Sequence, residues 1–421
     1  VSLSVVEICA GAGGQSLGLE LAGFEHKLAV ELDENAAATL KRNRREWDVA
    51  IGDVADKSVW NPEDPAFRGV DLLAGGVPCP PFSIAGKQLG ANDERDLFAW
   101  AVELAGRMKP RALLLENVRG LSMPRFAGYR QHVKDRLKEM GYWSDWKLLE
   151  ARDYGVPQLR PRFVLVAINS DEAGWFDWPE ETPFQGTVGT ALGRMMGANG
   201  WKGAKRWADN AEGIAPTIVG GSKRHGGADL GPTRAKAAWA ALGVDAHGVA
   251  DEPPEDREYP VGYKPKLTTE MVARIQGWEP GSEYDWAFTG RKTSRYRQIG
   301  NAFPPPVARA VGESIARALG HEGERKDLTE LEAEVLHDPI YTVLKHSTEP
   351  LTSRDLIRKA GGKVEAREFE RRMAMLSRDF VIEEAEVGED RAYLLTGFKG
   401  FVGQDDHERH LAFVTARSKI S

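Results

Sequence analysis

Cys79 stands in GGVPCPPFSIAGK, residues 75–87, with prolines at 78, 80 and 81 and glycines at both ends. It is one of only two cysteines in the 421-residue chain. Cysteine is most often a small buried hydrophobe, but proline neither donates to a strand ladder nor continues a helix. The stretch therefore reads as a stiffened loop that presents its thiol. A free thiol, with a pKa of about 8.5, is a small fraction thiolate at neutral pH yet strongly nucleophilic. No histidine stands at a protease-like spacing, so this thiol needs an acid that works on the substrate rather than a base that works on the sulfur. LLLENVRGL supplies one. Glu116, followed by Asn117, ends an apolar run, and partial desolvation there raises a carboxyl pKa and lets it share a proton near neutrality. In YGVPQLRPRFVLVAI, residues Gln158, Arg160 and Arg162 alternate ahead of a strand. Alternation points all three to one face, so two guanidiniums converge, an arrangement suited to carboxylate, phosphate or a base oxygen.

Positioning these groups requires a sheet. Short apolar runs (LSVVEI, HKLAVELD, VAIGDV, VDLLAGGVP, RALLLENV) alternate with helical patterns such as ENAAATLKRN and RDLFAWAVELAGRMKP. That alternation predicts an α/β fold with a doubly wound, mostly parallel sheet, whose ligands sit at the carboxyl ends of the strands. EICAGAGG, holding Ala10, Gly11, Gly13 and Gly14, follows the first strand. Its glycines let backbone approach a ligand, and the helix after it offers free N–H groups. The pattern departs from GxGxxG, which weakens a nicotinamide reading. Glu31, ending the second strand, suits ribose hydroxyls, and Asp53, after the third, suits an adenine amine. Each acid alone reads as a solvated strand end. Three such features on consecutive strand ends favour a nucleoside-type cofactor.

The alternation stops near Asn169. Residues 170–265 are rich in Gly, Pro, Trp and basic residues and read as a separate irregular or β-containing domain. From Arg194 to Lys236 there are eight Lys/Arg against three Asp/Glu, although the whole chain carries a net charge of −7. Regular pattern returns in TTEMVARIQGW and PPPVARAVGESIARALG, and HEGERKD reads as a polar linker. Beyond it, three helical patterns and a strand-turn-strand run predict a small winged helix-turn-helix module. Its candidate recognition helix, AREFERRMAMLSRDF, holds Glu and Arg in near balance, so DNA binding and partner binding both stay open. Two cysteines support neither a disulfide framework nor a four-thiolate zinc site, and no metal is expected. No run approaches the roughly 18 apolar residues of a membrane span, and the N-terminus lacks a basic-then-apolar leader. A cytoplasmic protein with no membrane partner is expected.

The ordered series EICAGAGGQSLGLELAGF, AVELDENAAATLKRN, GDV, GGVPCPPFSIAGK, RDLF, LLLENVRGL, PQLRPRFVLVAI and RYRQIGNAFPPPVARAVG resembles the DNA cytosine-5 methyltransferase family, over about residues 3–168 and 265–318. The resemblance implies a Rossmann-like class I catalytic domain, S-adenosyl-L-methionine as methyl donor, and a flipped-out cytosine in double-stranded DNA as substrate. It implies that Cys79 adds to cytosine C6 while Glu116 contacts N3 and the exocyclic amine. Arg160 and Arg162 would hold the base oxygen, the cysteine loop and a phosphate. Pro78, Leu97 and Asn301 join the cofactor contacts, and the QIGNAFPPP helix packs back to complete that pocket. Ser83, in the loop after Cys79, would close over DNA. The insert takes the place of a target recognition domain, with Lys223, Arg224 and His225 between glycine pairs as its candidate DNA contacts.

Two positions depart from the pattern. Pro80 follows the nucleophile where relatives often carry Gln, and Gln15 stands where an aromatic residue often stacks on adenine. The implied organisation is a catalytic and cofactor-binding domain at 1–168, target recognition at 169–265, a return segment at 266–320 and the winged-helix-like module at 327–400. A restriction-modification or phage-defence setting follows, with a cognate restriction or defence partner. Two other readings stand beside it. One changes the substrate to transfer RNA, which the sizeable insert disfavours. The other is a DNA-binding regulator whose methyltransferase fold senses cofactor, against which the intact Cys79, Glu116, Arg160 and Arg162 argue.

Overall fold

The computed structural model of the chain describes residues 2–77, 97–220, 227–328, 338–362, 364–387 and 390–399. Pro78, Cys79, Ser83, Lys223, Arg224 and His225 lie outside the described residues.

Strands β1 (Leu3–Ile8), β2 (Phe24–Glu31), β3 (Val49–Ile51), β4 (Leu72–Gly75), β5 (Ala112–Val118), β6 (Tyr142–Glu150) and β7 (Pro161–Asn169) form one sheet in the order β3-β2-β1-β4-β5-β7-β6. The pairs among β1 to β5 are parallel, and β7 runs antiparallel to both its neighbours. Helices α1 (Gly14–Leu21), α2 (Glu34–Asn43), α3 (Leu97–Met108) and α4 (Ala127–Glu139) connect the strands. The central strands β1, β4, β5 and β7 are largely apolar on both faces because both faces are covered. In β1, Val6 packs with Phe98 and Trp100 of α3, while Val5 joins the opposite cluster with Val311 and Ile315. In β5, Leu113 and Leu115 face the first cluster and Leu114 the second. With β1 to β5 parallel, their carboxyl ends share one edge, and the site lies there.

The insert holds α5 (Val188–Met196), α6 (Ala204–Asn210) and α7 (Thr233–Ala241). Among its described residues it forms helices and isolated bridges but no strand, so the β-containing expectation gives way to a helical and irregular unit. Its apolar residues Leu192, Trp207 and Trp239 share one cluster with Met271, Val272 and Ile275 of α8 (Thr269–Ile275) and Tyr296 and Ile299 of α9 (Lys292–Asn301). That core runs straight across position 265. The return ends in α10 (Pro305–Leu319), which lies against α1. Gly18 makes this contact possible: a Cβ there would sit 2.5 Å from the Pro305 carbonyl oxygen.

The C-terminal part runs α11 (Pro339–Lys345), β8 (Leu351–Thr352), α12 (Ser353–Lys359), α13 (Ala366–Asp379), β9 (Phe380–Val387), β10 (Asp390–Phe398), with a three-stranded sheet in the order β8-β10-β9. Its core, built on Tyr341, Leu356, Phe369, Met373, Leu376 and Phe380, abuts α4. There the His132 ring stacks on Phe398 at 4.1 Å, and Lys345 pairs with Asp135 at 2.8 Å. No helix among the described residues is long and apolar enough to cross a membrane.

Candidate active site

A cleft of about 580 Å³ opens at the carboxyl edge of the sheet, where the ends of β1, β2, β3, β4 and β5 meet the start of α3 and the end of α9. The turn after β1 forms its floor. Gly13 adopts φ 94°, a conformation that disfavours any side chain, and so releases the chain into α1 without a side-chain cap. The first N–H groups of α1 are left for a ligand. Trp286, from the return segment, donates its indole N–H to the Ala12 carbonyl at 2.8 Å and pins the turn from outside. Cys9 also sits in the left-handed region, at φ 52°, and lines the cleft.

Of the candidate cofactor residues, Ala10, Gly11, Gly14, Glu31, Asp53, Leu97 and Asn301 line this cleft. Gly13 is not on the wall but shapes the turn beneath it. The Glu31 carboxylate accepts from the backbone N–H of Gly11 and of Asp33, both at 2.7 Å. One acid thus ties the glycine turn of β1 to the end of β2. Burial pushes its pKa up, and the two backbone donors oppose that shift. Asp53 accepts from Ala55 N–H at 2.9 Å, which turns the chain after β3, and it lines the cleft.

Glu7 and Gln15 are among the buried polar wall residues that the sequence reading did not assign. Glu7 lies inside β1, wholly buried, with Oε2 2.9 Å from His26 Nε2 and Oε1 without a hydrogen-bond partner. The signal was an acid in the apolar run SVVEI. Gln15, noted only as a departure, is 3% exposed with neither carboxamide atom partnered. It offers a donor and an acceptor where a ring would offer only a face.

Glu116 is the chemical end of the cleft. It lies two residues before the end of β5 and is buried, and Arg162 Nε lies 2.5 Å from its Oε1. Antiparallel pairing places Arg162 opposite Val118, two residues along from Glu116, and sets this reach. The other oxygen faces the end of β4: a Cβ built on Gly76 would stand 3.6 Å from Oε2. Burial raises the Glu116 pKa more than anything else does, while the charges of Arg162 and Arg160 pull it down. The result is a carboxyl held by one guanidinium, with its free oxygen beside the chain that leads to residue 79.

Arg160 and Gln158 take a different part from the one their alternation suggested. Arg160 donates to the carbonyls of Ile218 at 2.6 Å, Gly300 at 2.7 Å and Ala302 at 2.9 Å. It is the clamp between β7, the insert and the end of α9, and only its charge reaches Glu116. The reason is that α9 ends in carbonyls lacking helical partners, which a buried cation satisfies. Gln158 continues the clamp, accepting from Ile218 N–H and donating to Gln276, which donates to the Ile299 carbonyl. Arg160→Ala would strand three interior carbonyls. We expect it to cost about 3–5 kcal/mol and lower the urea midpoint. Arg160→Lys should not restore it, because one ammonium cannot span carbonyls that a planar fork reaches in two directions. An unchanged midpoint in Arg160→Ala would show the clamp to be dispensable.

No group of three or more His, Cys, Asp or Glu that could hold a metal ion occurs among the described residues.

The family model for the C-5 cytosine-specific DNA methylase matches residues 3–317. Over 421 residues the chain is 63% identical to the type II methyltransferase M.NaeI of Lentzea aerocolonigenes, covering 100% of both chains. It is 48% identical to the type II methyltransferase M.NgoMIV of Neisseria gonorrhoeae, covering 75% of this chain and 98% of that one. Among solved structures, Spodoptera frugiperda DNMT2 superposes with a TM-score of 0.52 at 18% identity, covering 75% of this chain and all of that one. The last likeness concerns the fold alone.

Proposed function

The chain belongs to the C-5 cytosine-specific DNA methylase family and is a DNA cytosine-5 methyltransferase, and from that premise we propose that it is the modification enzyme of a type II restriction-modification system. In this reading it acts in the cytoplasm on a short duplex sequence that a cognate endonuclease would otherwise cut. The observation that carries the chemistry is the Glu116 carboxyl, buried at a strand end and held by Arg162 on the wall of a nucleoside-sized cleft.

Enzymes of this family use S-adenosylmethionine as methyl donor, and the cleft residues fit it. A ribose diol needs acceptors, which Glu31 offers with its remaining lone pairs. An adenine amine needs another, which suits Asp53. An amino-acid end carries both signs, which suits Asn301, the unpartnered Gln15 carboxamide and the α1 N-terminus. Leu97, from the start of α3, supplies an apolar wall, and Pro78 is assigned to the same pocket by the sequence pattern.

Cytosine C6 is too weak an electrophile for a thiol alone. Glu116 donates a proton to N3 as the Cys79 thiolate adds to C6. The ring electrons thereby pushed toward N3 make C5 an enamine-like nucleophile. The bound cofactor supplies the electrophilic methyl group that C5 takes. Loss of the C5 proton to a water molecule then expels the thiolate, restores the C5–C6 double bond and returns the N3 proton to Glu116. Arg162 keeps Glu116 aimed throughout, and Arg160 holds the wall behind it. C6 is shielded inside a duplex, so the base is extruded at a cost of a few kcal/mol.

Residues 169–265 serve as the target recognition domain, with Lys223, Arg224 and His225 and the loop at Ser83 contacting DNA. Supporting this is the local excess of basic residues in an otherwise acidic chain. Residues 266–320 complete the catalytic domain, and 327–400 form a winged helix. The helix–strand–helix–helix–strand–strand order of its described residues supports that last reading.

The test is methyl transfer from labelled S-adenosylmethionine, followed by bisulfite mapping of the product. A short recurring duplex motif carrying 5-methylcytosine is expected. Transfer to transfer RNA with none to duplex DNA would replace the substrate. Sequence-specific binding without any transfer would favour the regulator.

A further inference from the structure

Helix α13 carries three arginines on one solvent-facing stripe. Arg367, Arg371, Ala374 and Arg378 are spaced four, three and four residues apart, which places them within one narrow arc, and all four are exposed. The opposite side, Phe369, Met373 and Leu376, is buried in the C-terminal core. The acids of the helix do not cancel the stripe. Glu368 is drawn to Arg372 at 3.0 Å and lies 3.7 Å from Arg371, Asp379 is buried, and Glu370 alone flanks the stripe in solvent. The near balance of the helix in sequence is therefore not a balance on its outer face.

The stripe also has a place. Leu376 packs on Gly128 at the start of α4, where a Cβ would come within 2.5 Å of its Cδ2. The chain from Arg119 to Phe126 directly follows the strand that bears Glu116, and α13 touches it. Arg125 on that segment is close enough to Arg378 for the two positive charges to oppose each other, with Asp379 acting against this. Arg119 is exposed nearer the site. This segment leads from the strand of Glu116 to the foot of α13, and from there the line of cations runs along the helix. From Arg378 to Arg367 the helix rises about 16 Å, roughly five base pairs of duplex. The neighbouring hairpin has the opposite character, since β9 exposes Glu383, Glu384 and Glu386. Its acids would repel phosphate, which confines the contact to the helix.

We propose that the outer face of α13 is a second DNA-binding surface, which holds the phosphate backbone of duplex flanking the methylated site. This rests on the reading that Glu116 receives the target base. Phosphate contacts of this kind position a protein without reading sequence.

The full chain and its Arg367→Ala/Arg371→Ala/Arg378→Ala variant should be titrated with two duplexes centred on the motif found by bisulfite mapping, about 14 and about 40 base pairs long. Fluorescence anisotropy is read between about 50 and 200 mM salt. The parent is expected to bind the long duplex at least tenfold more tightly than the short one. The variant should lose that advantage, and its salt slope on the long duplex should fall by about 2.7, the value for three phosphate contacts. Methyl transfer to the short duplex should keep its rate. Glu370→Lys should strengthen long-duplex binding, a gain that a misfolded protein cannot show. Equal affinities and slopes for parent and triple variant would overturn the proposal and leave the stripe to a protein partner. So would an equal loss on both duplexes. Unreduced methyl transfer to the short duplex by Glu116→Gln would instead overturn the reading of the active site on which the proposal rests.

Discussion

Cys79→Ser is expected to lower methyl transfer by three orders of magnitude or more, to the background of the preparation. It should also abolish an SDS-resistant adduct that the parent forms with a duplex carrying 5-fluorocytosine at the target position. Fluorine at C5 cannot leave as a cation, so the step that expels the sulfur is blocked and the C6–S bond persists. Serine keeps the shape of cysteine but stays protonated at neutral pH, where a thiol is already partly thiolate. Binding of S-adenosylhomocysteine and of DNA should therefore be unchanged, which separates chemistry from folding. The chain holds a second cysteine, and it supplies the internal control. Cys9 lines the cleft on the β1 side, at the turn that Glu31 fastens. Peptide mass spectrometry should place the adduct on Cys79 in the parent and in Cys9→Ala alike. An adduct on Cys9, or full activity in Cys79→Ser, would remove the nucleophile from this account.

The sheet and its strand-end acids were legible because their signals are local. β1, β2, β4 and β5 are apolar runs closed by Gly, Glu or Asn, and the helix ENAAATLKRN coincides with α2, where Asp33 caps the start through Asn35 and Ala36 N–H. β6 was not seen. As the edge strand of the sheet it interrupts its tryptophans and leucines with Ser, Asp and Lys and carries no apolar run longer than two residues. The single helix expected at QIGNAFPPP is two. α9 stops at Asn301 and α10 begins at Pro305, because proline disfavours helical backbone in the residue before it. That break turns the α9 carbonyls toward Arg160.

Arg160 owes its role to tertiary contacts rather than to local pattern. Period-two alternation puts it on one side with Arg162, and its charge reaches Glu116. What distinguishes the two is the partner each meets. Arg162 meets a carboxylate two residues along on β5, whereas Arg160 meets carbonyls 58, 140 and 142 residues away. Contacts at such separations leave no trace in a local pattern. Glu7 has its partner His26 on the adjacent strand, but the register puts His26 opposite Val5 and Glu7 opposite Ala29, with an irregularity between Val5 and Val6, so local pattern does not reveal the pair either.

Glu116→Gln should lower the single-turnover rate by about 10²- to 10⁴-fold while leaving S-adenosylhomocysteine affinity within a factor of a few. Glutamine fills the same volume and still donates a hydrogen bond to a ring nitrogen. It cannot transfer the proton that N3 must hold while sulfur adds to C6. The pH dependence carries the sharper signature. Burial raises the Glu116 pKa above its ordinary value, against the pull of Arg162 and Arg160. A carboxyl whose pKa is raised keeps its proton to higher pH, and it is the protonated form that works here. The parent rate should thus fall on the alkaline side as Glu116 ionises, and on the acid side as the Cys79 thiolate is lost. In Glu116→Gln the alkaline fall should vanish and only the acid limb remain. Removing the opposing cation should shift the same limb: Arg162→Gln releases Glu116 to a higher pKa and carries the alkaline fall further up in pH. A parent rate that climbs steadily with pH, or an alkaline limb that persists in Glu116→Gln, would mean that another group protonates the ring.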